Sequence, residues 1–78
     1  MPKLPSVSGA RLVRALKRAG FVELRQKGSH VSLERVTPEG TYKTVVPQHD
    51  TVQKGTLAKI LKQAGLTIEQ LLNLLTLL

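Results

Sequence analysis

The histidine at position 30 has the sequence surroundings of a group that could transfer protons. His30 directly follows Gly28 and Ser29, at the end of a short turn between two segments with strand-like patterning. Histidine is the side chain whose charge changes closest to neutral pH, so it can take up and release protons under physiological conditions. RNA carries its own nucleophile, the ribose 2′-hydroxyl. A small basic protein that presents one imidazole could therefore cut RNA without a metal or cofactor.

Three tasks are needed when the 2′-hydroxyl attacks the neighbouring phosphate. A proton must leave the hydroxyl, a proton must reach the departing 5′-oxygen, and the charge on the phosphate must be stabilised. Histidine suits either proton transfer, and cations or backbone N–H groups suit the third task. Lys27 and the amides of Gly28 and Ser29 adjoin His30. Because Gly28 has no side chain, a phosphate could approach the backbone closely at that point.

These neighbours define a predicted site with His30 as its catalytic residue. The predicted RNA-binding residues are Arg25, Lys27, Gly28, Ser29 and His49. His49 is the only other histidine, and it is expected to be either a second proton-transfer group or a phosphate contact. A lone histidine is often only a surface or structural residue, so residue types alone leave that role open for both histidines.

The residue types and their spacing do not favour other kinds of catalytic site. The carboxylates are scattered and lack the spacing of a glycosidase pair or a two-metal centre; they are Glu23, Glu34, Glu39, Asp50 and Glu69. The two histidines and Asp50 could in principle bind a metal ion, but no further obvious ligand and no metal-binding motif accompanies them. Phosphate-loop and dinucleotide signatures are missing, and without cysteine there is no disulfide or thiolate chemistry. The prediction is a site without metal or cofactor.

Length and charge set the class of protein. A chain of 78 residues allows one domain and buries only about 60% of its unfolded surface. Twelve Lys and Arg against five Asp and Glu give a formal charge of +7, which favours polyanionic partners such as RNA. No secretory signal is visible, and the apolar stretch of residues 71–78 is too short to span a bilayer. The expectation is a cytoplasmic protein without membrane contact.

Hydrophobic periodicity and turn residues predict the order α-β-β-β-α with one further helix. Ser8 is the predicted N-cap of a first helix that runs to about Ala19 and stops at Gly20. Three strands are predicted over residues 21–26, from residue 29 to the turn at residues 37–40, and over residues 41–46. Gly55 opens and Gly65 closes the next helix. Thr67 and Gln70 form a capping box for the last one.

Alternation within the second strand decides which way His30 faces. If Val31 and Leu33 pack against helices, His30 must point from the opposite side of the sheet, toward solvent or a ligand. The leucine-rich tail, residues 67–78, is apolar on more than one face. Either one stripe of it docks on the core and its end frays, or it contacts a partner or a second copy of the chain.

Several of these segments together resemble the HicA family of toxins. They are the helix of residues 12–20 with Phe21 after it, Lys27-Gly28-Ser29-His30, Val46-Pro47-Gln48-His49, and residues 55–66, GTLAKILKQAGL. The resemblance covers residues 8–66, and the tail extends beyond it. Either the Gly-Ser-His motif or the second helix would be a weak signal by itself, but their order and spacing are specific.

The resemblance implies an α+β, double-stranded-RNA-binding-domain-like fold with a three-stranded antiparallel sheet and two helices on one face. It also implies the toxin of a toxin–antitoxin system, a ribosome-independent endoribonuclease that cleaves mRNA, arrests translation and is neutralised by a HicB-type antitoxin protein. The family's active-site histidine corresponds to His30, and its glycine and serine to Gly28 and Ser29. Two rival functions remain: a non-catalytic RNA-binding module, and an interaction protein that acts through the leucine-rich tail.

Overall fold

The computed structural model describes residues 3–77, in which one helix is followed by three strands and two further helices, in the predicted order. The elements are α1 (Gly9–Arg18), β1 (Val22–Lys27), β2 (His30–Thr37), β3 (Gly40–Pro47), α2 (Lys54–Ala64) and α3 (Ile68–Thr76). The fold is α+β with one three-stranded antiparallel sheet, as predicted. No helix within the described residues is long and apolar enough to cross a membrane. Met1, Pro2 and Leu78, the last residue of the predicted leucine-rich tail, lie outside the described residues.

Short-range signals place the helix ends where the sequence predicts them. The Ser8 side chain accepts a hydrogen bond from the Arg11 backbone N–H and caps α1. Thr67 and Gln70 form the predicted capping box at the start of α3. Gly65 ends α2 in the left-handed conformation with φ 70°, where a residue with a Cβ would be strained. Each of these signals depends on residues three or four positions apart, which is why the sequence alone reveals them.

The sheet has the strand order β1-β2-β3, so β2 is central. Val31 and Leu33 of β2 are buried and join the core formed with the helices. α1 and α2 both contact β3 and pack on this same side of the sheet. The opposite side, called here the open face, carries alternate residues of β2 beginning with His30.

A register shift between Glu23 and Arg25 gives β1 an extra residue and changes which side chains reach the open face. Val22 and Leu24 are 63% and 50% exposed, so the apolar alternation of this strand does not mark a buried face. Glu23 lies opposite the core residue Leu33, and its carboxylate is 3.3 Å from the Lys17 ammonium of α1. The bulge therefore places Arg25 and Lys27 on the open face, which also carries the exposed Val22.

The leucine-rich tail docks on the core through one stripe. Leu71 and Leu75 of α3 are buried, and α3 packs against α1. The Arg11 guanidinium donates a hydrogen bond to the Leu75 carbonyl at 3.3 Å. Leu77 is 59% exposed. Of the two arrangements expected for this segment, docking on the core and contact with a partner, the structure shows docking on the core.

Candidate functional site

His30 is the first residue of β2, and its side chain is exposed to solvent. Its neighbour Val31 is buried, so alternation turns the imidazole away from the core as the sequence predicts. An imidazole buried under apolar side chains would have ruled out proton transfer to a polynucleotide. The exposed position of His30 leaves it open to a large ligand.

Backbone pairing brings the segment carrying His49 to His30. His30 lies directly opposite Pro47 in the pairing of β2 with β3. The Gln48 backbone N–H then donates to the Ser29 carbonyl with an N···O distance of 2.6 Å, continuing the link past the end of the strand. His49 is the next residue. The two histidines, 19 positions apart in the sequence, line the same groove.

The groove runs between the edge strand β3 and helix α2, with a volume of about 500 Å³. It is lined by His30, Lys43, Thr44, Val45, Pro47, His49, Thr56, Lys59, Ile60 and Gln63. Two lysines and two histidines are its ionisable groups, and no Asp or Glu of residues 3–77 lines it. A groove whose charges are all of one sign attracts anions and stabilises negative charge that develops on a bound group.

One face of α2 forms the second wall of this groove. Thr56, Lys59 and Gln63 are spaced by three and four residues, so they share one side of the helix. The Gln63 side-chain carbonyl accepts a hydrogen bond from the Thr44 hydroxyl at 2.9 Å, which ties the helix to β3. Lys59 is exposed at the rim, on the outer side that its helical position predicts. The site thus gains a cation that lies 29 residues from His30 in the sequence.

The loop that carries His49 is held by the start of α1. The Gly9 backbone N–H donates to the His49 carbonyl at 2.9 Å, and the Val52 N–H donates to the Val7 carbonyl at 2.8 Å. A Cβ at Gly9 would lie 2.1 Å from the Pro47 carbonyl oxygen and 2.8 Å from the Gln48 Cα. Only a residue without a side chain allows this close approach, so Gly9 sets the position of the loop.

The other predicted RNA-binding residues lie beside the groove and do not line it. Lys27 is directly opposite His30 across β1 and β2, and Arg25 is opposite Ser32, so both belong to the open face. Gly28 has φ 60°, and a Cβ there would meet no atom within 4 Å. The Gly28–Ser29 turn is therefore open to an approaching ligand. Arg25 and Lys27 on the open face and Lys43 in the groove place cations on two sides of His30, and the one carboxylate of β2, Glu34, lies opposite Lys43.

The chain is similar over most of its length to a known protein family. Residues 9–66 match the family described as HicA toxin of bacterial toxin–antitoxin systems. The chain belongs to the HicA toxin family. The matched residues include both histidines, the Gly9 contact and the whole of α2, whereas α3 lies outside the HicA match. No curated protein matches the chain.

Sequence reasoning did not identify the other five polar residues that line the groove of this HicA-family chain: Lys43, Thr44, Thr56, Lys59 and Gln63. The three on α2 share a helical face, which is a signal the sequence does contain. Nothing local in the sequence shows that this face meets β3 near His30. Lys43 becomes a neighbour of the site only through the pairing of β2 with β3, in which it lies opposite Glu34.

Proposed function

We propose that this HicA-family toxin is a metal-independent endoribonuclease that cleaves mRNA and thereby stops translation in the cytoplasm. His30 acts as a general acid or base at the scissile phosphate. The observation that carries the proposal is the exposed His30 imidazole in a groove lined by two lysines and no carboxylate of the described residues. Such a groove binds a phosphodiester and favours the extra negative charge of its transition state.

Binding of the RNA backbone is assigned to cations on two sides of His30. Lys43 and Lys59 lie along the groove, and Arg25 and Lys27 lie on the adjoining open face. Cations that neutralise phosphates give affinity with little sequence information. The chain has one Phe and one Tyr, and Phe21 is buried in the core. Base stacking therefore contributes little, and we expect weak sequence preference.

A HicB-type antitoxin protein is proposed to inhibit the toxin by covering the open face. That face combines the catalytic His30 with exposed apolar side chains, among them Val22, Val36 and Val45. Exposed apolar residues gathered on one side of a small domain are typical of an interaction surface. A structure of the complex in which His30 remains open to solvent would count against this mode of inhibition.

The proposal is tested by comparing the wild type with His30→Ala on an unstructured RNA in the presence of a chelator. Loss of a catalytic acid or base slows the reaction by about 100- to 10,000-fold. We expect the variant to bind RNA and to unfold at the wild-type temperature, because the side chain is exposed. A non-catalytic RNA-binding module would leave the RNA intact on a denaturing gel with either protein. Cleavage by the variant at the wild-type rate would refute the role of His30.

A further inference from the structure

We infer that His49 is the second proton-transfer group of this site, so that RNA cleavage uses a pair of histidines. One imidazole takes the proton from the 2′-hydroxyl while the other donates a proton to the 5′-oxygen. The inference rests on the proposed nuclease function and extends it, because it assigns the proton transfer that His30 alone leaves unassigned.

The first support is that both imidazoles line one groove. The link between them is short and made of backbone: the His30–Pro47 pair, followed by the hydrogen bond from Gln48 to the Ser29 carbonyl. A fixed backbone link holds two side chains at a constant separation better than flexible side-chain contacts would. Positioned pairs of this kind are what concerted acid–base catalysis requires.

The second support is the anchoring of His49 itself. Its carbonyl accepts the Gly9 N–H at 2.9 Å, and Gly9 touches the two residues before it more closely than any other residue type would allow. These contacts hold the backbone of the loop in place, which limits how far the His49 imidazole can move away from the groove.

The third support is the inventory of ionisable groups along the groove. They are His30, His49, Lys43 from β3 and Lys59 from α2, and no Asp or Glu of the described residues lines the groove. Lysine is suited to holding a phosphate as a fixed cation, whereas imidazole readily gains and loses a proton near neutral pH. Among the described residues that line the groove, His49 is the group besides His30 that is chemically suited to the second transfer.

The reaction balances without any co-reactant. A neutral imidazole accepts the 2′-hydroxyl proton as the ribose oxygen bonds to phosphorus. The bond from phosphorus to the 5′-oxygen breaks, and the protonated imidazole gives its proton to that oxygen. The products are a 2′,3′-cyclic phosphate and a 5′-hydroxyl end, and the two histidines have exchanged protonation states. Lys43 and Lys59 remain charged throughout and stabilise the phosphate oxygens.

The test uses the full chain and an unstructured oligoribonucleotide, with enzyme in excess and a chelator present. His49→Gln keeps a hydrogen-bonding side chain but cannot act as an acid or base. We expect it to lower the saturating cleavage rate by about 100- to 10,000-fold, with RNA affinity within about threefold of the wild type. Rate against pH should be bell-shaped for the wild type and should lose one limb in the variant. Added imidazole should restore part of the rate of His49→Ala.

A His49→Gln protein that cleaves at close to the wild-type rate would overturn the inference, as would weaker RNA binding with an unchanged saturating rate. Either result would leave the nuclease function intact as long as His30→Ala is inactive. If the wild type itself does not cleave RNA, or if His30→Ala remains fully active, the proposed function fails as well. Lys62→Ala serves as a control, because Lys62 is exposed on α2 and does not line the groove.

Discussion

Replacing Gly9 with alanine should perturb the loop that carries His49. The added Cβ would lie 2.1 Å from the Pro47 carbonyl oxygen, whereas ordinary contacts begin at 3.4 Å. The obstructing atoms belong to the backbone of residues 47 and 48, so no side-chain rotation can relieve the clash. Either α1 or the loop must move, and the hydrogen bond from Gly9 to the His49 carbonyl lengthens as a result.

The expected loss of stability can be worked from three contributions. Inserting a methyl group into a packed contact costs about 1–3 kcal/mol, and weakening one backbone hydrogen bond costs about 1 kcal/mol. Alanine is a better helix former than glycine by up to about 1 kcal/mol, which offsets part of this. We therefore expect Gly9→Ala to lower the free energy of unfolding by about 1–3 kcal/mol. Displacing a catalytic group by about 1 Å can slow a reaction roughly 100-fold, so cleavage should also fall.

The free energy of unfolding is measured by urea titration, and cleavage by a single-turnover assay. Gly55→Ala is the matched control, because Gly55 also lies near the start of a helix but a Cβ there would meet no atom within 4 Å. We expect the control to be as stable as the wild type or up to about 1 kcal/mol more stable. A Gly9→Ala protein that is at least as stable as the wild type would refute the argument from close approach.

Three further outcomes follow from burial, capping and charge. Leu71→Ala should lower the free energy of unfolding by about 2–5 kcal/mol, because Leu71 is fully buried. Leu77 is 59% exposed, so Leu77→Ala should change the free energy of unfolding by under about 0.5 kcal/mol. Thr67→Ala should cost about 1 kcal/mol of stability by removing the α3 cap; an unchanged urea midpoint would contradict this. Lys59→Ala should reduce the slope of the logarithm of RNA affinity against the logarithm of salt concentration by about 0.7. Lys62→Ala should reduce this slope less, because Lys62 does not line the groove. Filter binding at several salt concentrations measures both slopes.

Local rules explain why most elements could be predicted from the sequence. The Ser8 cap, the Thr67 capping box and the Gly65 helix end each depend on residues a few positions apart. The direction of His30 follows from period-two alternation with its buried neighbours Val31 and Leu33. These features are properties of short segments, so they do not depend on how the rest of the chain packs.

In β1, the alternation of apolar and charged residues does not indicate which side chains are buried, and the pairing with β2 shows why. Val22 and Leu24 alternate with charged residues, yet both are exposed, because Val22 lies opposite the open-face residue Glu34 and Leu24 is the residue left without a partner at the bulge. A bulge changes the face of every residue beyond it. Whether a strand contains one depends on the register with its partner, which a single segment does not specify.

The sequence by itself determined the order of the elements, the ends of the helices and the outward position of His30, since those depend on neighbours along the chain. Tertiary structure decided that His49 lines the same groove as His30 and that Lys59 of α2 lines it too. It also decided that Gly9 holds the loop that carries His49. These groups are far apart in sequence. Strand pairing and the packing of α2 on β3 bring them together, because burying one apolar face of each element leaves few ways to arrange the whole chain.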